Sequence, residues 1–254
     1  MTSEQCPYEE CDGSGLIWVI DHQEKKEFMR PCKCKEEKAL ERMMRSAKVP
    51  EEFRNAKIAS FRLNLYKTEK SQHRASTAKR VSVNYVKNFK EMQAQSKGLY
   101  FYSYTKGSGK TRLAASVGGA LIQQHQAQVL FTTAVDCLAE IRKTFGENSK
   151  KNTSELIDAL KNVEVLIVDD LGVENVSDWV EETFTTILEY RLTNKKVCIF
   201  TSNLSIEELN NKYKQGRVSS RIEKMAFPVY MPDESIRSDL AKKENVELQA
   251  ILYE

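Results

Sequence analysis

Tyr102–Thr111 reads YSYTKGSGKT. Its last five residues, Gly107–Thr111, are GSGKT, and an apolar stretch, LYFYSY (99–104), runs into them. A strand that feeds a glycine-rich turn and opens a helix is the context a phosphate-binding loop requires. Gly107 and Gly109 let backbone N–H groups point at phosphate oxygens. Lys110 is placed to reach the β and γ phosphates, and the Thr111 hydroxyl to hold Mg²⁺. The helix N-terminus adds partial positive charge. Thr105, Lys106, Ser108 and Arg112 complete the expected nucleotide-contacting stretch. One position departs from the full pattern G-x4-G-K-[ST]: Tyr104 stands where the first glycine belongs. That position lies farther from the β and γ phosphates than Gly109, so the ring is expected to leave them free, with the chain bending through Thr105 and Lys106.

Downstream, the apolar run VEVLIVDD (163–170) ends in two acids. Asp169 is the expected Mg²⁺ ligand, through water, and Asp170 the general base for an attacking water. The next strand, KVCIFTSN (196–203), ends at Asn203. Ligands sit at the carboxyl ends of parallel strands, where Asn203 can orient the water or touch the γ-phosphate. GRVSSRIEKM carries Arg217 and Arg221 four apart, on one helical face, and ESIRSDL carries Arg237. An arginine stabilises charge on the transferring phosphoryl group, often from a neighbouring subunit. The alternative for each arginine is a surface ion pair.

The strands 99–104, 129–133, 163–170, 196–203 and 227–232 are short and mostly apolar without alternation, as strands covered on both faces are. Helical stretches fall between them, near 109–125, 135–145, 153–162, 178–193 and 205–214, the last opened by the capping box Ser205–Glu208. The expected fold class is α/β, with a parallel five-stranded sheet between helices. Ala78, Val81, Tyr85, Phe89 and Met92 mark one further helical face upstream.

Four of the six cysteines, Cys6, Cys11, Cys32 and Cys34, fall in the first 34 residues. Two close pairs on either side of a twenty-residue arm can surround one tetrahedral zinc ion. LIWVI and EFMR between them suit two short strands joined by a polar turn, which is a zinc-ribbon layout; His22 falls at its tip. The spacings C-x4-C and C-x-C differ from the commoner paired C-x2-C, and four free thiols are the alternative. Cys137 and Cys198 sit among apolar residues and are expected in a core. The expected organisation is a zinc module with a following helix at 1–48, a connector at 49–70 and an ATPase domain at 71–254.

With 41% hydrophobic residues and no apolar run long enough to span a bilayer, membrane passage is excluded and a cytoplasmic location expected. The net charge of +3 is too small to argue for nucleic acid by itself. Its distribution is uneven: nine Lys/Arg against two acids over Arg62–Lys97, and six acids against three bases from Asp233 onward.

The order GSGKT, LIVDDLG, IFTSNLSIEEL, GRVSSRI resembles the AAA+ ATPases of the bacterial replicative helicase loader family, the DnaC and DnaI type, with the IstB transposition helpers as relatives. VPEEFRNAKIASF (49–61) is similar to the segment before the ATPase domain in that family, and the cysteine cluster to the zinc module of DnaI-type and phage-encoded loaders. The resemblance implies that Lys110 and Thr111 are the Walker A pair, Asp169 and Asp170 Walker B, Asn203 sensor 1 and Arg237 the sensor 2 arginine. Arg221 matches the arginine finger better than Arg217. ATP, Mg²⁺ and Zn²⁺ are the implied cofactors. The implied partners are a DnaB-type hexameric helicase, single-stranded DNA and further copies of the chain. EIRKTFGENSKK (140–151) offers Arg142, Lys143, Phe145 and Lys150 as a single-strand path. A transposase-helper ATPase and a non-hydrolysing zinc-ribbon adaptor are the competing functions, and the compact build leans towards a phage or mobile-element loader.

Overall fold

The computed structural model describes residues 6–21, 25–144 and 150–253, which form two compact units, Met1–Ser46 and Ala47–Glu254. His22, Phe145 and the side chain of Lys150 lie outside the described residues.

The smaller unit is an antiparallel hairpin, β1 (Leu16–Asp21) and β2 (Lys26–Pro31), followed by helix α1 (Lys33–Ser46). Leu16 pairs with Pro31 and Trp18 with Met29. The backbone N–H of Cys32 donates to Gly15 O at 2.9 Å, so the end of the hairpin closes onto the turn after the first cysteine pair.

The larger unit is the expected α/β layer. Residues 47–70 wrap it with two short 3-10 turns, Glu51–Phe53 and Leu63–Leu65, and bury Val49, Ile58, Phe61 and Tyr66. Helices α2 (Glu69–Lys87) and α3 (Phe89–Ala94) follow, then β3 (Gly98–Tyr102) and α4 (Lys110–His125). The chain continues through β4 (Val129–Thr133), α5 (Ala134–Lys143), α6 (Lys150–Asn162), β5 (Val165–Leu171) and α7 (Asp178–Thr193). It ends with β6 (Val197–Ser202), α8 (Ile206–Lys212), α9 (Arg217–Met225), β7 (Ala226–Tyr230) and α10 (Ile236–Leu252). The five strands lie in the order β4-β5-β6-β3-β7, and every pairing is parallel.

This order positions the site. β6 lies between β3 and β5, so the loop after β3, the tip of β5 and the tip of β6 meet at one edge of the sheet. The interior strands are almost wholly buried, which explains their lack of alternation. Cys198 and Cys137 are core residues, as expected. The fully buried Arg191 guanidinium holds β6 to the end of α6. It donates to Leu160 O (2.7 Å), Val163 O (2.9 Å) and Val197 O (2.5 Å), and its Nε to Cys198 Sγ (3.0 Å). Helix carbonyl ends carry partial negative charge, so a cation without a carboxylate is tolerated there.

Candidate functional site

The sharp turn after β3 starts at buried Ser103, whose hydroxyl donates to Pro232 O (2.8 Å) and accepts from Thr105 N (3.1 Å). The Tyr104 side chain is 54% exposed and sets its ring edge-on to Tyr230, centroids 6.1 Å apart. Tyr230 stacks on Tyr102 at 4.8 Å and lies under the Arg74 guanidinium at 3.8 Å. The tyrosine thus joins an aromatic cluster at the β3–β7 edge and takes no part in lining the cavity below.

Gly107 (φ 75°) and Gly109 (φ 92°) occupy left-handed backbone. At Gly107 the chain is also crowded: a Cβ would lie 2.8 Å from Ser235 Oγ and 2.9 Å from Arg237 Cβ. The crowding exists because α10 begins on this loop, with Ile236 N donating to Gly107 O at 2.9 Å. At Gly109 a Cβ would meet Phe61 and Tyr66 at 3.1 Å, and Tyr66 Oη donates to Ser108 O at 2.8 Å. The wrapping segment therefore clamps one flank of the loop and α10 the other.

Lys110 is buried at the start of α4. Its Nζ donates to Asn203 Oδ1 (2.9 Å), Thr105 O (3.0 Å), Ser103 O (3.3 Å) and Ser108 Oγ (3.4 Å). Burial lowers its pKa, opposed by the charges of Asp170 and Asp169. Thr111 Oγ1 donates to Asp169 Oδ2 at 3.2 Å, and Thr201 Oγ1 to Asp169 Oδ1 at 2.5 Å. Burial raises the Asp169 carboxyl and the Asp170 charge adds to this, while the two threonine hydroxyls pull it down. Asp170 is exposed in left-handed backbone (φ 52°), and its N–H donates to Thr201 Oγ1 at 2.9 Å. A non-glycine residue held there stores strain, which the Thr201 bond helps retain.

These groups open on a cavity of about 400 Å³, the size of a small-molecule site. One wall is the loop Lys106–Arg112 with Asp170, Asn203 and Arg237; the other is apolar, with Phe53, Phe61, Leu65, Tyr66, Ile236 and Leu240. The polar wall suits a polyphosphate and a divalent cation between Thr111 and Asp169, and the apolar wall a flat base. Of the expected nucleotide residues, Lys106, Gly107, Ser108, Gly109, Lys110, Thr111 and Arg112 line this cavity; Thr105 contributes a carbonyl to Lys110, and Asp169 stands behind Thr111.

Arg217 and Arg221 do not line it. Arg221 Nε and Nη2 meet Glu189 Oε2 at 2.5 Å, and its Nη1 donates to Arg217 O. Arg142 and Lys143 lie at the exposed end of α5, the Arg142 guanidinium 4.6 Å over the Trp179 ring. Sequence alone did not single out the apolar wall, Thr201, Ser103 or Glu234. Glu234 accepts from Lys67 N (2.7 Å) and from Thr68 N and Oγ1 (3.1 and 2.6 Å), tying the wrapping segment to the start of α10. Burial pushes this carboxyl up, but the donors of Lys67, Thr68 and Ser71 outweigh it and hold it at about 2.

In the smaller unit the sulfurs of Cys6, Cys11, Cys32 and Cys34 all lie within 4.8 Å of one another. Cys6 Sγ is 3.7 Å from Cys32 Sγ, and Cys11 Sγ 3.5 Å from Cys34 Sγ. A zinc tetrahedron with ~2.3 Å bonds has edges of about 3.8 Å, so the four sulfurs fit one. None of the six cysteines forms a disulfide, and burial together with the neighbouring thiols pushes the Cys34 thiol up to about 12.

The family model of the IstB-like ATP binding protein matches residues 15–227. An uncharacterized Bacillus subtilis protein, YqaM, is 26% identical over 187 residues, 72% of this chain and 56% of that protein. The replicative helicase loader DnaI of Bacillus subtilis is 25% identical over 166 residues, 61% of this chain and 51% of DnaI. The chain thus spans about half the length of these curated relatives. The crystal structure of the DnaC helicase loader superposes with a TM-score of 0.61 at 26% identity, covering 72% of this chain and 99% of that one. The fold is that of the AAA+ loaders. No described helix is long and apolar enough to cross a membrane. With a family match over most of its length and a phosphate loop facing the paired aspartates, the chain belongs to the IstB-like ATP-binding protein family.

Proposed function

We propose that this protein is an ATP-hydrolysing loader that grips a DnaB-type hexameric replicative helicase and helps place it on single-stranded DNA. The convergence of Lys110, Asn203, Thr111 and Asp169 at one end of the cavity carries the proposal. Lys110 binds the β and γ phosphates, exchanging its bonds to Thr105 O and Asn203 for phosphate oxygens. Thr111 and Asp169 hold Mg²⁺, which neutralises charge on the phosphates. Asp170 takes the proton of the attacking water, Asn203 orients that water, and Arg237 contacts the nucleotide. Arg221 serves the site of a neighbouring copy, since it lies off its own cavity. Arg142 and Lys143, exposed at the end of α5, contact the DNA strand.

The four cysteines hold zinc, and the hairpin presents the helicase-binding surface. Trp18, Ile20 and Met29 are 56%, 50% and 55% exposed, Trp18 paired across the strands with Met29, so one face of the ribbon is an apolar ladder. Exposed aromatic and aliphatic clusters of this kind mark protein contacts. The test is co-purification with the replicative helicase of the same genome, together with ATP turnover with and without single-stranded DNA. Expected are a stable complex, lost on Trp18→Ala, and DNA-responsive turnover. No complex with any replicative helicase, with the cysteine module intact, would end the proposal.

A further inference from the structure

Asp169 and Asp170 are consecutive residues of one strand, yet both belong to one end of the cavity. In a regular strand successive side chains point to opposite faces. β5 keeps that alternation as far as Asp169. Leu166 and Val168 lie in the core cluster with Leu138 and Ile141 of α5 and Phe184 of α7. Ile167 points the other way, towards Gly118 of α4, where an added Cβ would meet its Cδ1 at 2.6 Å. Asp169 follows on that second face and reaches Thr111 at the start of α4. Continued alternation would send Asp170 into the core between β5, α5 and α7. Instead Asp170 lines the cavity with Lys110 and Thr111, and Leu171 rejoins Leu166 and Val168 in the core cluster.

The phase slips because β5 holds one residue more than its neighbour. Val168 pairs with Phe200 and Leu171 with Ser202, so Asp169 and Asp170 together stand opposite Thr201 alone. This is a bulge, a device that re-aims a side chain beside a functional site. Asp170 is the extra residue, and its φ of 52° makes the turn. A bulge leaves its extra residue out of the backbone ladder, and here a side chain takes the vacant place. Thr201 Oγ1 accepts from Asp170 N at 2.9 Å and donates to Asp169 Oδ1 at 2.5 Å. The next residue repeats the device: Ser202 Oγ donates to Leu171 O at 2.6 Å and accepts from Leu204 N at 3.0 Å. Thr201 and Ser202 are both fully buried, so bulk water does not substitute for either hydroxyl.

We propose that Thr201 is a positioning residue for ATP hydrolysis: its one hydroxyl plugs the bulge and so aims both acids, Asp169 at the Mg²⁺ position beside Thr111 and Asp170 at the attacking water. This rests on the reading of the cavity as an ATP and Mg²⁺ site. With Oδ1 engaged by Thr201, Asp169 turns Oδ2 to Thr111. With its N–H held, Asp170 stays in left-handed backbone that a non-glycine residue otherwise avoids. Without the hydroxyl, Asp169 loses a donor and Asp170 an acceptor, and neither carboxylate keeps a fixed direction.

The test is the gain in affinity for a fluorescent ATP analogue on adding Mg²⁺, measured on the full chain against the same titration in EDTA. Thr201→Val keeps the shape and removes the hydroxyl; Thr201→Ser keeps the hydroxyl and removes the methyl. Hydrogen-bond partners of metal-binding groups carry about 10–100-fold in metal affinity, so Thr201→Val is expected to cut the Mg²⁺-dependent gain by about 10-fold or more. Its affinity in EDTA, which Lys110 and the glycine loop supply, is expected to stay unchanged. Thr201→Ser is expected to recover most of the gain, and ATP turnover to follow the same order through kcat. A packing role would instead lower the melting temperature of both variants and leave the gain intact. Equal gain in wild type and Thr201→Val, or a gain lost equally in Thr201→Ser, overturns the proposal and leaves the nucleotide site standing. If Thr201→Val does not fold, Thr201→Ser alone decides: a gain near that of wild type supports the hydroxyl role, and a lost gain overturns it. A wild type that binds the analogue no better with Mg²⁺ than in EDTA, or not at all, overturns the nucleotide reading and this proposal with it.

Discussion

Lys110 and Glu234 show how single side chains set the site. The Lys110 ammonium is buried among carbonyls, a hydroxyl and an amide oxygen, a low-dielectric setting in which a phosphate is a strong partner. Lys110→Ala is expected to reduce ATP turnover by roughly 10²–10³-fold with an unchanged melting temperature, measured by phosphate release and calorimetry. Glu234 carries the opposite charge and a structural role. Its folded pKa of about 2 lies below the usual ~4.3 of a free glutamate, so its stabilisation is present above that value. It is lost as pH falls from there towards 2. The melting-temperature advantage of wild type over Glu234→Gln is therefore expected at pH 7 and gone near pH 2–3. An advantage that persists at low pH would mean the ionised carboxylate is not what holds the segment. At this scale the meeting of Lys110, Thr111, the paired aspartates and Asn203 in one place was legible, because the motifs that carry them restrict residue type at short spacing. Thr201 and Tyr66 were not. A threonine hydroxyl on Asp169 and a phenol on Ser108 are partners 32 and 42 residues away, and nothing local announces them.

At the scale of elements, the loop after β5 is tied to the arginine-bearing helix by buried polar groups. The Glu174 carboxylate accepts from Gly172 N at 2.9 Å and from the hydroxyl of Tyr213, which lies between α8 and α9. Glu181 on α7 accepts from Gln215 N at 3.0 Å. Tyr213→Phe leaves a buried carboxylate short of a donor and is expected to cost about 1–3 kcal/mol in stability, read by denaturant unfolding. It is also expected to lower kcat more than it raises KM, since it loosens the link between Asp170 and α9 without touching the cavity. Helix α7 spans the predicted 178–193, and the strands fall within two residues of their predicted ends, because buried apolar runs bounded by turns are strong signals. The capping box at Ser205 and Glu208 is present. Helix α10 was not legible. Its stripe is short, broken by charge and exposed from Leu240 onward among the described side chains, so no core-facing period shows in the sequence.

For the whole molecule, the two units predict separable responses. Zinc chelation or Cys34→Ser is expected to unfold the smaller unit and abolish helicase binding, while the larger unit keeps its melting transition and ATP affinity. A single transition lost as a whole would contradict that division. In the proposed function Arg221 acts on the site of a neighbouring copy. Its pairing with the half-exposed Glu189 is a surface ion pair worth about 0.2–1 kcal/mol, a small barrier to re-aiming it at another copy. Turnover is therefore expected to rise more steeply than linearly with protein concentration. A mixture of Lys110→Ala and Arg221→Ala, each inactive alone, is expected to recover activity, because an intact loop then faces an intact arginine. The measurement that tests the loader function most directly is the amount of replicative helicase retained on single-stranded DNA circles after ATP is supplied. Expected is retention that depends on this protein and falls to background with Lys110→Ala. Helicase retained equally with wild type, with Lys110→Ala and with no loader would contradict it.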